Sequence, residues 1–455
     1  LPPPAPLGRA PRTRHMGEGE ATESAKLIAE LLGTFILIFT VGCNVLAQNT
    51  VWAGVSIACS LMVSIYALGG ISGANFNPAV SFCLAITNAM GGPGGMSFKT
   101  AGMYSLVQIA GGCMAASLYC ALHGWEAFAL SPGKGFGWLN AGLVELIYTF
   151  MLCFVVLNAA VARPTMYYGL AIGFVIVAGA YGAGGISGGC FNPAVAIAID
   201  ASGSGRNFGW CLIYIIFQLL GAALAAVTTK LVRPGLFGSL AEPKLPEKCI
   251  SEFLGTYMLV LTVGLNVLGK SPAGAFSIAA SLMCMIYALG DVSGAHFNPA
   301  VTIAIAASKR GAMPVSDIVP YICSQLAGGV FGAFTYSMLY LGASFPIGPH
   351  GDIRWTQIAV AEVIFTFVMC YVVLAVAVSA KTAAPQFFGL AIGSCITVGG
   401  FAIGGISGGS LNPAVSVGVS AAQILNGGKF YECLLYSLFE IGGALLAAGV
   451  FEITH

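Results

Sequence analysis

Long apolar stretches alternate along this chain with short polar pieces rich in Gly, Ser and Pro. They cover residues 27–47, 51–68, 100–122, 139–161, 168–184 and 208–232, then 249–268, 273–289, 314–341, 355–378, 387–403 and 430–451. A helix needs roughly 20 apolar residues to cross the hydrocarbon of a bilayer, so the pattern predicts twelve spans. Four shorter apolar runs follow one recurring motif: GISGANFNPAV at 70–80, GISGGCFNPAV at 185–195, DVSGAHFNPAV at 291–301 and GISGGSLNPAV at 405–415. Each motif reads as a loop turning into a helix. Gly permits the tight turn, Asn is a preferred N-cap, and Pro fits the first helical position because no N–H is needed there. The apolar run after each Pro is too short to span, so it predicts a re-entrant half-helix that aims its positive end at the bilayer centre. The fold class expected is an all-α polytopic membrane protein of two six-helix units, with twelve transmembrane helices and four half-helices.

The repeats are nested. Asn77 and Asn192 are 192 − 77 = 115 residues apart, as are Glu30 and Glu145; between units, Asn77 to Asn298 is 221 and Asn192 to Asn412 is 220. Each half-unit holds three spans, an odd number, so successive halves insert in opposite orientation and place a site near the midplane. The expected division is a disordered tail over 1–24, unit one over 25–232, a cytoplasmic linker over 233–248 and unit two over 249–455. The linker carries three prolines and five charged residues, and the tail has neither a signal-peptide core nor a span. Because the chain opens with Leu, Met16 is the candidate start and the residues before it translated leader. With the N-terminus inside, 13 of the 18 Lys and Arg fall on inner segments and 5 on outer ones, which puts both termini and the linker in the cytoplasm.

Composition adds exclusions. The 455 residues are 57% hydrophobic and 8% charged, with net charge +1, so nothing suggests nucleic acid. The 62 glycines suit close helix packing in lipid. The 14 cysteines lie mainly inside apolar segments without metal-ligand spacing and read as small buried hydrophobes. No nucleotide loop, metal cluster or nucleophile constellation is present, so no cofactor, metal or enzymatic activity is expected.

Six spans, two Asn-Pro-Ala half-helices and a Glu in the first and fourth spans make each unit resemble the aquaporin (major intrinsic protein) family, over about 25–232 and again 249–452. The chain resembles two complete aquaporins fused in tandem. The resemblance implies pores built on Asn77-Pro78-Ala79 with Asn192-Pro193-Ala194, and on Asn298-Pro299-Ala300 with Asn412-Pro413-Ala414. It implies that Glu30, Glu145, Glu252 and Glu362 brace the re-entrant loops, since a carboxylate in a span needs partners. It also implies tetramers in the family, hence a homodimer of tandems (a pseudo-tetramer of four pores) here. His296 matches a cytoplasmic-mouth histidine of the family where unit one has Asn75, and Asp291 in place of Gly70 gives unit two a more acidic inner mouth. Gln108, Gln218 and Gln325 recur in the third and sixth spans and read as structural, while their fourth counterpart, Glu440, has no assigned role.

One departure bears on selectivity. Most family members place Arg just after the second motif, where this chain has Val195 and Val415. Counted back from the motif asparagines as in the family, the remaining constriction positions that the resemblance implies are Ile57, Ala180 and Gly189 in unit one and Ile278, Gly400 and Gly409 in unit two. All eight are small or aliphatic, and the acidic residue typical of glycerol facilitators is replaced by Ala196 and Ser416. The expected activity is passive passage of water and small neutral solutes such as glycerol, urea, ammonia or hydrogen peroxide. The rival readings are an ion-conducting channel, because the missing arginines remove one cation barrier, and a structural junction protein. Planar-bilayer current separates the first and adhesion without osmotic flux the second. An active transporter would need a coupling-ion site, and none is visible.

Overall fold

A computed structural model describes residues 21–163, 165–203, 209–238, 242–311 and 313–455. The tail expected over 1–24 therefore lies, up to residue 20, outside the described residues. The chain is built of helices. Unit one comprises α1 (Glu23–Leu46), α2 (Ala53–Ser72), the short α3 (Pro78–Ala89), α4 (Phe98–Leu122), α5 (Trp138–Val155), α6 (Tyr168–Ser187), the short α7 (Pro193–Ser202) and α8 (Trp210–Val232). Unit two repeats the order as α9 (Leu245–Leu268), α10 (Gly274–Ser293), α11 (Pro299–Ala307), α12 (Val315–Leu339), α13 (Trp355–Val373), α14 (Phe388–Ser407), α15 (Pro413–Ile424) and α16 (Tyr431–Thr454). Twelve of these are long and apolar enough to cross a membrane. The four others hold 12, 10, 9 and 12 residues, or about half a hydrocarbon thickness at roughly 1.5 Å per residue. Both α5 and α13 end in a π-helical turn, Val156–Val161 and Leu374–Val378.

Small residues set the helix spacing. A Cβ on Gly221 would lie 2.3 Å from the Leu146 carbonyl oxygen, and one on Gly443 would lie 2.4 Å from that of Val363. Only glycine lets α8 close on α5, and α16 on α13, at that distance.

The joint between units differs from the expected sixteen-residue linker. Pro234–Phe237 form a 3-10 turn, and α9 begins at Leu245 rather than 249. Pro246 fits the first helical turn, and the Glu247 carboxylate accepts the Lys244 N–H at 2.9 Å. Unit one meets unit two along α5 and α6 against α9 and α10. There the Tyr148 and Thr262 hydroxyls are 3.0 Å apart, Ser277 Oγ donates to the Ala178 carbonyl at 2.9 Å, and the rings of Tyr167 and Tyr287 stack at 4.1 Å.

Candidate functional site

Each motif folds the same way because each contains the same local instructions. The preceding span ends on a left-handed glycine: Gly73, Gly188, Gly294 and Gly408 have φ between +83° and +89°. The motif Asn then caps its short helix, its side-chain oxygen accepting the N–H of Ala79, Ala194, Ala300 or Ala414 at 2.8–2.9 Å, with Pro78, Pro193, Pro299 or Pro413 following. The residue before each Asn (Phe76, Phe191, Phe297 and Leu411) is held at φ of +51° to +54°. A non-glycine residue resists that conformation, so something must hold the loop in place.

The holder is a buried glutamate. Glu30 accepts Ser72 Oγ at 2.6 Å, the N–H groups of Asn75 and Phe76 at 2.9 and 2.7 Å, and Gln108 Nε2 at 2.8 Å. Glu145 takes the matching set from Ser187, Cys190, Phe191 and Gln218, and Glu252 from Ser293, His296, Phe297 and Gln325. All are fully buried. Four donors on one carboxylate offset the cost of burying its charge. Glu362 keeps only three, from Ser407, Ser410 and Leu411. The structure thus gives the glutamines a specific partner and finds Glu440 where the fourth would stand.

The two short helices of each unit meet at their N-termini. Asn77 Nδ2 donates to the Phe191 carbonyl and Asn192 Nδ2 to the Phe76 carbonyl, both at 2.9 Å. In unit two Asn298 and Asn412 repeat the exchange with the Leu411 and Phe297 carbonyls, again at 2.9 Å. Each pair lines a cavity. In unit one it is continuous, running from Ile65, Ala74 and Asn75 past Asn77 and Asn192 to Ile57, Ala180, Gly189 and Val195, then out beside Phe128 and Leu130. The four residues expected to form the constriction are thus brought together there.

In unit two Ile278, Gly400, Gly409 and Val415 likewise share a cavity, with His350 and Lys270 at its mouth. The space beyond narrows. A pinched chamber lies among Leu259, Leu282, His296, Asn298, Met369, Ile392 and Ile396, and a separate one opens beside Gly290, His296 and Phe388. The matching wall of unit one is Leu37, Leu61, Asn75, Asn77, Leu152, Ile172 and Ile176. The walls differ at two positions, His296 for Asn75 and Met369 for Leu152. The imidazole is anchored, with Nδ1 3.0 Å from Thr302 Oγ1.

The sequence reading assigns Asp291 to the inner mouth of unit two, and the structure adds partners for it. Its carboxylate turns to the seam, where Arg233 of the joint donates to both oxygens at 2.8 and 2.6 Å and Arg163 lies 3.4 Å away. Arg233 also donates to Asn158 Oδ1 at 2.6 Å and the Ala288 carbonyl at 2.8 Å. Two arginines across the seam offset the charge of the acid. Among the described residues no three His, Cys, Asp or Glu side chains gather as a metal site.

Comparison with known proteins matches this architecture. The sequence model of the family described as Major intrinsic protein matches residues 19–169, 163–263 and 239–451. The chain is 35% identical over 223 residues to Aquaporin NIP2-1 of Oryza sativa subsp. japonica, covering 45% of this chain and 70% of that protein. It is 33% identical over 250 residues to Aquaporin AqpM of Methanothermobacter marburgensis, covering 46% and 97%. Each such relative accounts for about half of this chain, as two units in tandem require. The X-ray structure of the aquaglyceroporin from Plasmodium falciparum aligns with 46% of this chain and 96% of its own at 20% identity and a TM-score of 0.39; the assignment does not rest on it.

Proposed function

The chain belongs to the major intrinsic protein family, and on that premise we propose that each unit is a passive pore for water and small neutral solutes. The observation that carries this is the reciprocal bond between paired motif asparagines inside a lined cavity. A carboxamide has two N–H donors. One of each Asn goes to the opposite loop, which leaves the other to donate to an oxygen in single file. The facing helix ends make the midpoint electropositive, so a cation or a relayed proton meets a barrier while a neutral dipole does not. The walls around that point are aliphatic, so a permeant that enters binds weakly and leaves readily.

Selectivity follows from the eight filter positions. With Val195 and Val415 in place of a guanidinium, and Ala180, Gly189, Gly400 and Gly409 beside them, the constriction admits solutes of the glycerol, urea, ammonia and hydrogen peroxide class besides water. The pores are unequal. Unit one is the freer path, and unit two is throttled at His296 and Met369. The bias of Lys and Arg places both termini and the joint over 233–248 in the cytoplasm. Two tandems assemble into one four-pore dimer.

The test is stopped-flow flux into proteoliposomes for wild type, Val195→Arg, Val415→Arg and the double variant. An arginine narrows the filter and adds a fixed charge, so glycerol and urea flux falls about tenfold or more in the double variant while water falls less. Glycerol and urea flux unchanged in the double variant refutes the filter assignment.

A further inference from the structure

Three of the four loop-bracing glutamates are bonded by a glutamine; the fourth stands beside a second acid. Glu440 occupies on α16 the place that Gln108, Gln218 and Gln325 hold on α4, α8 and α12. Its Oε1 accepts the Asn412 N–H at 3.0 Å and Ser416 Oγ at 2.9 Å, while Glu362 Oε2 accepts the adjacent Leu411 N–H at 2.8 Å. Holding successive amides of one loop, the two carboxyl groups lie side by side, and both are fully buried. Among the described residues, no Lys, Arg or His side chain bonds either.

The site is built for a neutral group. In all three glutamines the amide oxygen Oε1 is buried without a donor, and at Glu440 the orphan is the carboxyl oxygen Oε2. An amide oxygen tolerates that at about 1–3 kcal/mol, whereas an ionised oxygen, next to a second carboxylate, does not. The surroundings offer no relief. α13 contributes Glu362 and Cys370, and α14 contributes Cys395. α11 and the α15 loop contribute no charge, and Glu440's own helix adds Cys433, Tyr436 and, further along, Glu432. The Tyr436 hydroxyl is already committed to the Ser407 carbonyl at 2.7 Å.

We propose that Glu440 is a proton-binding site: it stands in the folded protein as the neutral acid beside ionised Glu362, and losing that proton loosens the mount of α15 and slows passage through unit two. The bound proton supplies the donor that Glu362 lacks relative to its three counterparts. On release it passes to pore water, leaving two facing carboxylates. The acid is the form that fits, so this contribution to stability is present at lower pH and lost as pH rises through the acid's titration. The effect on flux rests on the channel reading; the protonation state does not.

Infrared difference spectra of the full chain in lipid nanodiscs test it. At neutral pH the wild type should show the carbonyl stretch of a buried carboxylic acid, lost in Glu440→Gln, and Gln218→Glu should gain a second such band. The wild type's melting temperature should fall as pH is raised, with that slope reduced in Glu440→Gln. In a chain whose first pore is plugged by Val195→Trp, the remaining water flux should drop at alkaline pH, and Glu440→Gln should remove the drop. An acid band that persists in Glu440→Gln overturns the proposal, as does a wild type without the band. A wild type lacking it but stabilised by sodium over choline chloride assigns the acid pair to a metal cation instead. A chain without flux at any pH counts against the channel reading alone, and the spectra then decide the proton.

Discussion

A carboxylate in the middle of a membrane helix is tolerable only when nearly every lone pair is used, and Glu145 shows how. Its oxygens take one hydroxyl, two backbone N–H groups and one side-chain amide, so it is less a charge than a socket for the loop before Asn192. Glu145→Ala leaves the Cys190 and Phe191 N–H groups without an acceptor in a dry interior, at about 1–3 kcal/mol each. Differential scanning fluorimetry in detergent should show a clear drop in melting temperature. Glu145→Gln, which keeps an acceptor, should lie between the two, and equal melting for all three would contradict the socket. The asparagines and prolines were legible in the sequence because a cap and a first helical turn are decided within three residues. The partner of each glutamate's glutamine was not. Gln108 lies 78 residues from Glu30, and only the fold brings them together. For the same reason the partner of Asp291 was not legible, since Arg233, 58 residues before it, belongs to the joint.

At the scale of elements, function depends on four short helices being held short and paired. Their lengths could be read from the apolar runs, and their pairing followed from the odd number of spans in each half-unit. What could not be read was the fit of one helix against another. The difference of His296 from Asn75 is plain in the sequence, yet its filling of the conduit beside Met369 depends on side-chain packing. The crossing of α5 and α8 is one tight fit of this kind that can be tested. A side chain on Gly221 would collide with the Leu146 carbonyl, and α8 also carries Gln218, the donor to Glu145. Gly221→Val should push the helices apart and lower folded yield sharply on size-exclusion chromatography. Gly442→Val on α16, where a Cβ meets nothing within 4 Å, should be tolerated. Equal yields would mean that the crossing is looser than described.

For the whole molecule, the exposed faces are as informative as the buried ones. Of the most apolar window of each helix at the seam, 72% is buried in α5, 67% in α6, 67% in α9 and 72% in α10. Their structural counterparts are far barer: 39% for α1, 28% for α2, 44% for α13 and 39% for α14. Unit one therefore presents unpaired the surface that unit two uses at the seam, and unit two presents the surface that unit one uses. Even the polar detail recurs. Asn44 Nδ2 donates to Ser56 Oγ at 3.0 Å, as Asn266 does to Ser277 at 2.9 Å. A second copy turned by half a revolution would close both faces at once and bring Ser56 to the Val398 carbonyl of that copy. A heterologous contact closes into a ring of four units when each step is a quarter turn. Native mass spectrometry from detergent should thus find two 46.5 kDa chains per particle, and Ser56→Trp should shift the population to monomers. Monomers alone in the wild type would contradict the ring.

The central claim is that one chain carries two separate conduits, each made where two short helices meet end to end. Osmotic shrinkage of proteoliposomes tests it most directly, with Val195→Trp to plug the first conduit, Val415→Trp to plug the second, and the double variant to plug both. Val195→Trp should remove the larger share of water permeability, Val415→Trp the smaller, and the double variant should fall to the level of empty liposomes. Wild-type permeability in the folded double variant would contradict the account.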